Sequence, residues 1–155
     1  MKKWIRRAIY LGIPLALLLQ FTNPAHVKPQ VTPGHDVFAA ATTPPEVVTL
    51  FRNACYDCHS SETEWPWYSY VAPVSWFVVG HINDARRALN FSDWPHDNPQ
   101  RARKKWSHVG DEVESGDMPL SSYTWMHAKA RLSAQQREQL IKWAKAEAQR
   151  LAAAQ

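Results

Sequence analysis

The chain holds two cysteines, and both fall in the five-residue run Cys55-Tyr56-Asp57-Cys58-His59. A C-x-x-C-H run sets two thiols one helical turn apart with an imidazole next in line. That arrangement attaches a c-type haem through two thioethers and offers the histidine to the iron. A porphyrin presents large apolar faces that must be kept from water, so the motif constrains the rest of the domain. On this reading Cys55 and Cys58 are the attachment points of one haem c, and His59 is the proximal ligand.

Three other readings use the same residues. A thioredoxin-like redox pair wants a βαβ context, and no such alternation lies nearby. A structural zinc site wants four ligands, and there is no second cysteine pair, only scattered histidines. A plain disulfide is the third. Haem attachment is favoured because the compartment implied by the N-terminus fits it.

The chain opens Met-Lys-Lys-Trp-Ile-Arg-Arg and then runs without a charge from Ala8 to Phe21. A basic start followed by an apolar stretch is an export signal. Fourteen uncharged residues fall short of the ~20 a membrane span needs unless flanking residues such as Trp4 and Ile5 contribute. No good small-x-small cleavage site follows Phe21, since Thr22-Asn23-Pro24-Ala25 is a poor one and Ala39-Ala40-Ala41 lies too far downstream. The balance favours a retained anchor through residues 4–21, with soluble periplasmic protein after cleavage as the alternative. In either case the basic start stays in the cytoplasm and the rest crosses the membrane.

Lys2, Lys3, Arg6 and Arg7 account for the whole formal net charge of +4, so the exported part is formally neutral. The pI near 9.2 therefore gives no support to nucleic-acid binding, which needs a basic patch on the folded domain. Arg101, Arg103, Lys104 and Lys105 read as a solvated helix face, with a docking patch for an acidic redox partner as the minority alternative.

Residues 1–21 thus form a signal or anchor, 22–43 a Pro-rich extended tether punctuated by Pro24, Pro29, Pro33 and Gly34, and 44–155 a single domain without internal repeats. Within the domain, Thr43-Pro44-Pro45-Glu46 reads as a capping box, and Val47, Leu50, Phe51 and Ala54 form a helical stripe leading into Cys55. A second helix starts near Pro73, with Trp76, Phe77, Gly80, Ile82, Ala85 and Leu89 on one side and Asp84, Arg86 and Arg87 pointing away. Trp106, Val109 and Val113 predict a third helix stopped by Gly116. Ser133 and Gln136 make a capping box for a last amphipathic helix carrying Leu140, Ile141, Ala144, Ala148 and Leu151. No run alternates like a strand. The fold class is all-α, a small cytochrome c-like helical domain around one covalently attached haem.

The iron needs a sixth ligand or an open position. Met118, in a loop between Gly116 and Pro119 and ahead of the last helix, is the first choice, giving the order helix, haem motif, loop methionine, C-terminal helix. Packing in the core is the ordinary role of a methionine. The rivals are Met126, His127 and His81, followed by His96 and His108, while His26 and His35 are set aside as tether residues. Trp65, Trp67, Trp76, Trp94, Trp106, Trp125 and Trp143 serve either as core aromatics or as haem shielding, and Trp65-Pro66-Trp67-Tyr68 are the first candidates to touch the ring.

The run from Asn53 to Tyr68, then Ala72-Pro73-Val74-Ser75-Trp76, Leu89-Asn90-Phe91-Ser92, Gly116-Asp117-Met118-Pro119 and Met126-His127-Ala128, resembles the bacterial haem-binding domain family. These are cytochrome c-like proteins often carried on a signal or anchor segment. The resemblance covers nearly all of residues 44–146. It implies a membrane-associated or periplasmic c-type haem protein, with Cys55 and Cys58 as attachment points, His59 proximal and Met118 distal. The chain departs from the family where Ala128 stands in place of a common proline.

Three functional classes follow: an electron carrier serving redox partner proteins, a peroxidase-like haem enzyme with an open iron position and a polar distal group, and a haem-based sensor or structural subunit of a respiratory complex. No phosphate loop, nucleophile elbow or metalloprotease motif stands apart from the haem motif.

Overall fold

A computed structural model describes residues 2–39 and 43–153. Seven α-helices run in order through it: α1 (Lys2–Leu19), α2 (Pro45–Ala54), α3 (Tyr56–His59), α4 (Val74–Ala88), α5 (Pro99–Ser115), α6 (Ser121–Met126) and α7 (Ala134–Ala153). Short 3-10 turns extend α1 through Thr22 and occur at Trp67–Tyr70 and Ala128–Ala130. Among the described residues there is no strand, so the domain is all-α as the sequence implies.

The helix ends follow from local chemistry. Asn98 caps α5 by accepting from the Arg101 N–H at 2.9 Å, Pro99 takes the first helical position, and Gly116 ends the helix at φ 86°, where a side chain would be strained. Ser133 and Gln136 form the expected reciprocal box at the start of α7, with bonds of 2.9 and 3.2 Å. The box expected from Thr43 does not form. Pro44 takes the cap position in an extended conformation, because a residue that precedes proline is driven out of the helical region, and α2 begins one residue later at Pro45.

The core is an aromatic cluster between α2, α5 and α7. Phe51 is fully buried, and its ring lies 5.6–5.7 Å from those of Phe38, Phe91, Trp106 and Trp143. Trp106 stands perpendicular to Trp143 at 4.7 Å and also packs on Trp94. Three of the tryptophans therefore build the core. α5 and α7 pack along each other, and Gly110 permits their close approach: a Cβ there would meet the Lys145 Cγ at 3.1 Å.

Two expectations change. The segment after α1, read as an extended tether, touches the domain at both ends, through Asn23, His26 and Val27 and again through His35 to Phe38, while residues 28–34 between them are exposed; residues 40–42 lie outside the described part. Val37 is buried and donates its N–H to the Phe91 carbonyl, while Trp94 donates to the His35 carbonyl. His26, set aside as a tether residue, stacks on Tyr70 at 4.0 Å, meets Trp65 edge-on and bonds to Ser69 through Nε2. Proline and glycine punctuation describes a chain without regular structure, and such a chain either floats or docks according to contacts with residues far along the sequence. The second change is in α4, which buries Ser75, Val79 and Ile82 and leaves Trp76 and Phe77 exposed. Arg86 points inward instead of away. Its guanidinium donates to the Ser60 carbonyl (2.8 Å), Thr63 Oγ1 (2.6 Å) and the Val27 carbonyl (2.7 Å).

α1 is long and apolar enough to cross a membrane, and none of its residues is buried. Its end is nonetheless fixed to the domain. The Gln20 side-chain amide pairs with the Ala72 backbone, Asn23 donates to the Tyr70 carbonyl and accepts from Ser75 Oγ, and Trp76 Nε1 donates to the Thr22 carbonyl.

Candidate functional site

The C-x-x-C-H run forms a single helical turn. α2 ends when Cys55 leaves helical geometry at φ −126°, while its N–H still bonds to the Phe51 carbonyl at 2.8 Å. The Cys55 carbonyl then accepts from the Cys58 and His59 N–H groups, which places Cys55 and Cys58 on one side of the turn with His59 beside them. The two intervening residues hold the turn from its other sides. Tyr56 is buried, stacks on Phe91 at 5.3 Å and donates its hydroxyl to Asp36. The Asp57 carboxylate accepts from the Tyr123 hydroxyl at 2.6 Å and from the Glu64 N–H at 3.1 Å.

His59 is fixed by the end of α4. Its Nδ1 lies 3.2 Å from the Ala85 carbonyl and 3.1 Å from the Leu89 carbonyl. Both neighbours only accept, so Nδ1 carries the proton and Nε2 keeps its lone pair for a metal. Burial lowers the pKa of the imidazole below its usual 6.5, against the opposing pull of the two carbonyls. The ring is neutral at pH 7, the form that ligates.

Cys55 and Cys58 are both free thiols. Burial pushes Cys55 up to about 12 and Cys58 up to about 11, with the neighbouring Asp57 carboxylate adding to the second. A redox-active pair requires a lowered thiol pKa, so the thioredoxin-like reading has the wrong electrostatics. The zinc reading lacks partners: among the described residues no three His, Cys, Asp or Glu side chains are grouped to hold a metal ion.

Two cavities meet at this turn. Cys55 and His59 line the smaller, of 140 Å³, together with Leu89, Phe91, Val109 and Met118. Cys58 lines the larger, of 360 Å³, with Tyr68, Phe77, His81, Met126 and His127. α4 contributes to both walls, and the segment after α5 does the same, through Met118 and Pro119 on one side and Leu120 onward on the other. The structure thus brings Met118 into the cavity of His59, and the rival ligands Met126, His127 and His81 into that of Cys58. His108 reaches the smaller cavity from α5, and His96 bonds to the Asp36 carbonyl outside both. Of the aromatic run after the motif, Pro66, Trp67 and Tyr68 line the larger cavity, while Trp65 packs on His26.

Met118 is held by its backbone. Its N–H donates to the Glu112 carbonyl at 3.0 Å, and its carbonyl accepts from Arg137. Arg86, Asp57 and Tyr123 are supports that the sequence does not announce, since each works through a partner distant in the chain. The donor set fits a haem: two free thiols, a neutral imidazole with one nitrogen committed and one free, a methionine lining the same cavity, and largely apolar walls.

Among the described residues, fold and site together define an all-helical protein with two cavities that meet at a turn of thiol, thiol and imidazole. The haem-binding domain family matches residues 15–146, and the chain belongs to that family. The protein therefore binds haem. The match begins inside α1 and runs on through the segment that follows it. No curated protein and no solved structure matches the chain.

Proposed function

We propose that the protein is a membrane-anchored, monohaem c-type cytochrome of electron transfer, with its haem domain on the side of the membrane away from the cytoplasm. Cys55 and Cys58 form the two thioethers, His59 is the proximal ligand and Met118 the distal one. The observation that carries this reading is the pairing of His59 and Met118 in one cavity, with the His59 Nδ1 committed to the Ala85 and Leu89 carbonyls.

When bound, the haem supplies reversible one-electron chemistry at its iron. The chain's own residues set its terms. The carbonyls at the end of α4 fix the His59 ring and make Nε2 a better donor. Met118 offers a thioether, which favours the ferrous form and raises the potential. Leu89, Phe91 and Val109 keep water from the smaller cavity. Retention of α1 is supported by the hydrogen bonds that Gln20, Thr22 and Asn23 make to the domain, contacts that cleavage after α1 would leave on a new terminus.

The test is the absorption spectrum of protein made with haem-attachment machinery. The expected result is haem that resists extraction by acidified organic solvent and a sulfur-to-iron charge-transfer band that Met118→Ala abolishes, with a lowered potential. A band that survives the substitution transfers the assignment to Met126.

A haem enzyme is the second reading, and the larger cavity favours it. There the Tyr68 hydroxyl lies 3.5 Å from His127 Nε2, and His127 stacks on Tyr123 at 4.1 Å, which supplies a polar group of the kind a peroxidase uses. Five-coordinate iron with rapid peroxide consumption would establish that reading in place of the first.

A further inference from the structure

We propose that the face formed by residues 70–77 lies in the headgroup layer of the bilayer beside α1, so that the domain rests on the membrane; this builds on the reading of α1 as a retained anchor. From Trp65 to Asn83 the chain carries no Asp, Glu, Lys or Arg. Within that stretch Tyr70, Val71, Val74, Trp76 and Phe77 are exposed by 52, 43, 44, 42 and 57 %. Five large apolar side chains in eight residues make an expensive surface to leave in water. Val74 and Phe77 also line the larger cavity beside Cys58, so Tyr70, Val71 and Trp76 are the part of the face that lies outside it.

The position of this face identifies its occupant. The end of α1 is bonded to the same eight residues: Gln20 to Ala72, Asn23 to Tyr70 and Ser75, and Thr22 to Trp76. A helix that leaves the bilayer at Thr22 therefore brings Tyr70, Val71 and Val74 to the level where the hydrocarbon ends. Tyrosine and tryptophan suit that level, each having an apolar ring with one polar atom. The stretch has no basic side chain, so the attraction is to the interface itself and not to anionic headgroups.

The experiment uses the full-length, haem-loaded protein in vesicles of phosphatidylcholine alone, doped with a phosphatidylcholine that carries a photoactivatable diazirine near its headgroup. Adducts are mapped to peptides by mass spectrometry. The expected pattern is labelling of α1 and of residues 67–77, with α7 unlabelled. Tyr70→Glu with Val71→Glu, both outside the two cavities, should reduce labelling of 67–77 several-fold while α1 labelling and the haem absorption stay as they were. Labelling confined to α1 overturns the docking face and leaves the anchor standing. Equal labelling of 67–77 and α7, or labelling indifferent to the two glutamates, also overturns it. An unlabelled α1 overturns the anchor and this inference with it.

Discussion

Arg86 is the residue whose loss should do most damage for its position on the surface. Its guanidinium joins three separate pieces of chain: Ser60 and Thr63 behind the C-x-x-C-H turn, Val27 in the docked segment, and α4, which also carries the carbonyls that orient His59. Ser60 and Thr63 are fully buried, whereas the Val27 contact is at the surface. A hydrogen bond from a charged donor contributes about 1.5–3 kcal/mol when buried. Counting the two inner bonds and discounting for the half-exposed guanidinium gives about 2–4 kcal/mol for Arg86→Ala. For a chain of this length that lowers Tm by about 4–16 °C. Arg86→Lys should recover less than half of the loss, because a single ammonium cannot reproduce a planar fork reaching three acceptors. Thermal unfolding of the haem-loaded wild type and both variants measures this, and limited proteolysis should show new cleavage near Val27 in Arg86→Ala. A Tm within about 2 °C of wild type for Arg86→Ala would refute the clasp.

Phe51→Ala empties the centre of the aromatic cluster and should cost about 3–5 kcal/mol in chemical denaturation, as expected for a fully buried aromatic. Tyr123→Phe removes the short hydroxyl bond to Asp57 and should cost about 1–3 kcal/mol, with a shift of the haem absorption reporting a loosened turn. Gly116→Ala forces a side chain into the left-handed region and should cost about 1–2 kcal/mol while weakening the sulfur-to-iron band, because the Met118 loop starts there.

The chemistry of the site is legible in the sequence because it is local. Two thiols and an imidazole within five residues state their geometry without help from the rest of the chain, and Gly116 followed by Met118 and Pro119 describes a loop methionine in the same way. The bodies of α2, α5 and α7 are legible for a related reason: each buries a stripe at helical spacing, and Ser133 with Gln136 marks the start of one of them. α6 is too short to show a period. α4 misleads, since its two aromatic residues, Trp76 and Phe77, face outward while its small Ser75 faces inward beside Val79 and Ile82. Periodicity reports a helix but does not say which environment its apolar side meets. The docked segment fails for a different reason, as the partners of His26, Val27 and Asn23 lie dozens of residues away. Arg86 and Tyr123 are hidden in the same manner. A solvated arginine and one that staples two loops to a helix are spelled alike.

α4 links two ends of the molecule that otherwise have nothing in common. Ser75 and Trp76 at its start are bonded to the exit of α1, and Ala85 with Leu89 at its finish hold the ring of His59. Ten residues of helix between Ser75 and Ala85 are a stiff rod of about 15 Å. The rod acts as a ruler: it sets how far the His59 ring stands from the end of α1. A domain on a slack leash would sample many such distances. On the proposed reading of α1 as an anchor and of the haem as an electron carrier, a redox partner in the same membrane would meet the haem at this one spacing.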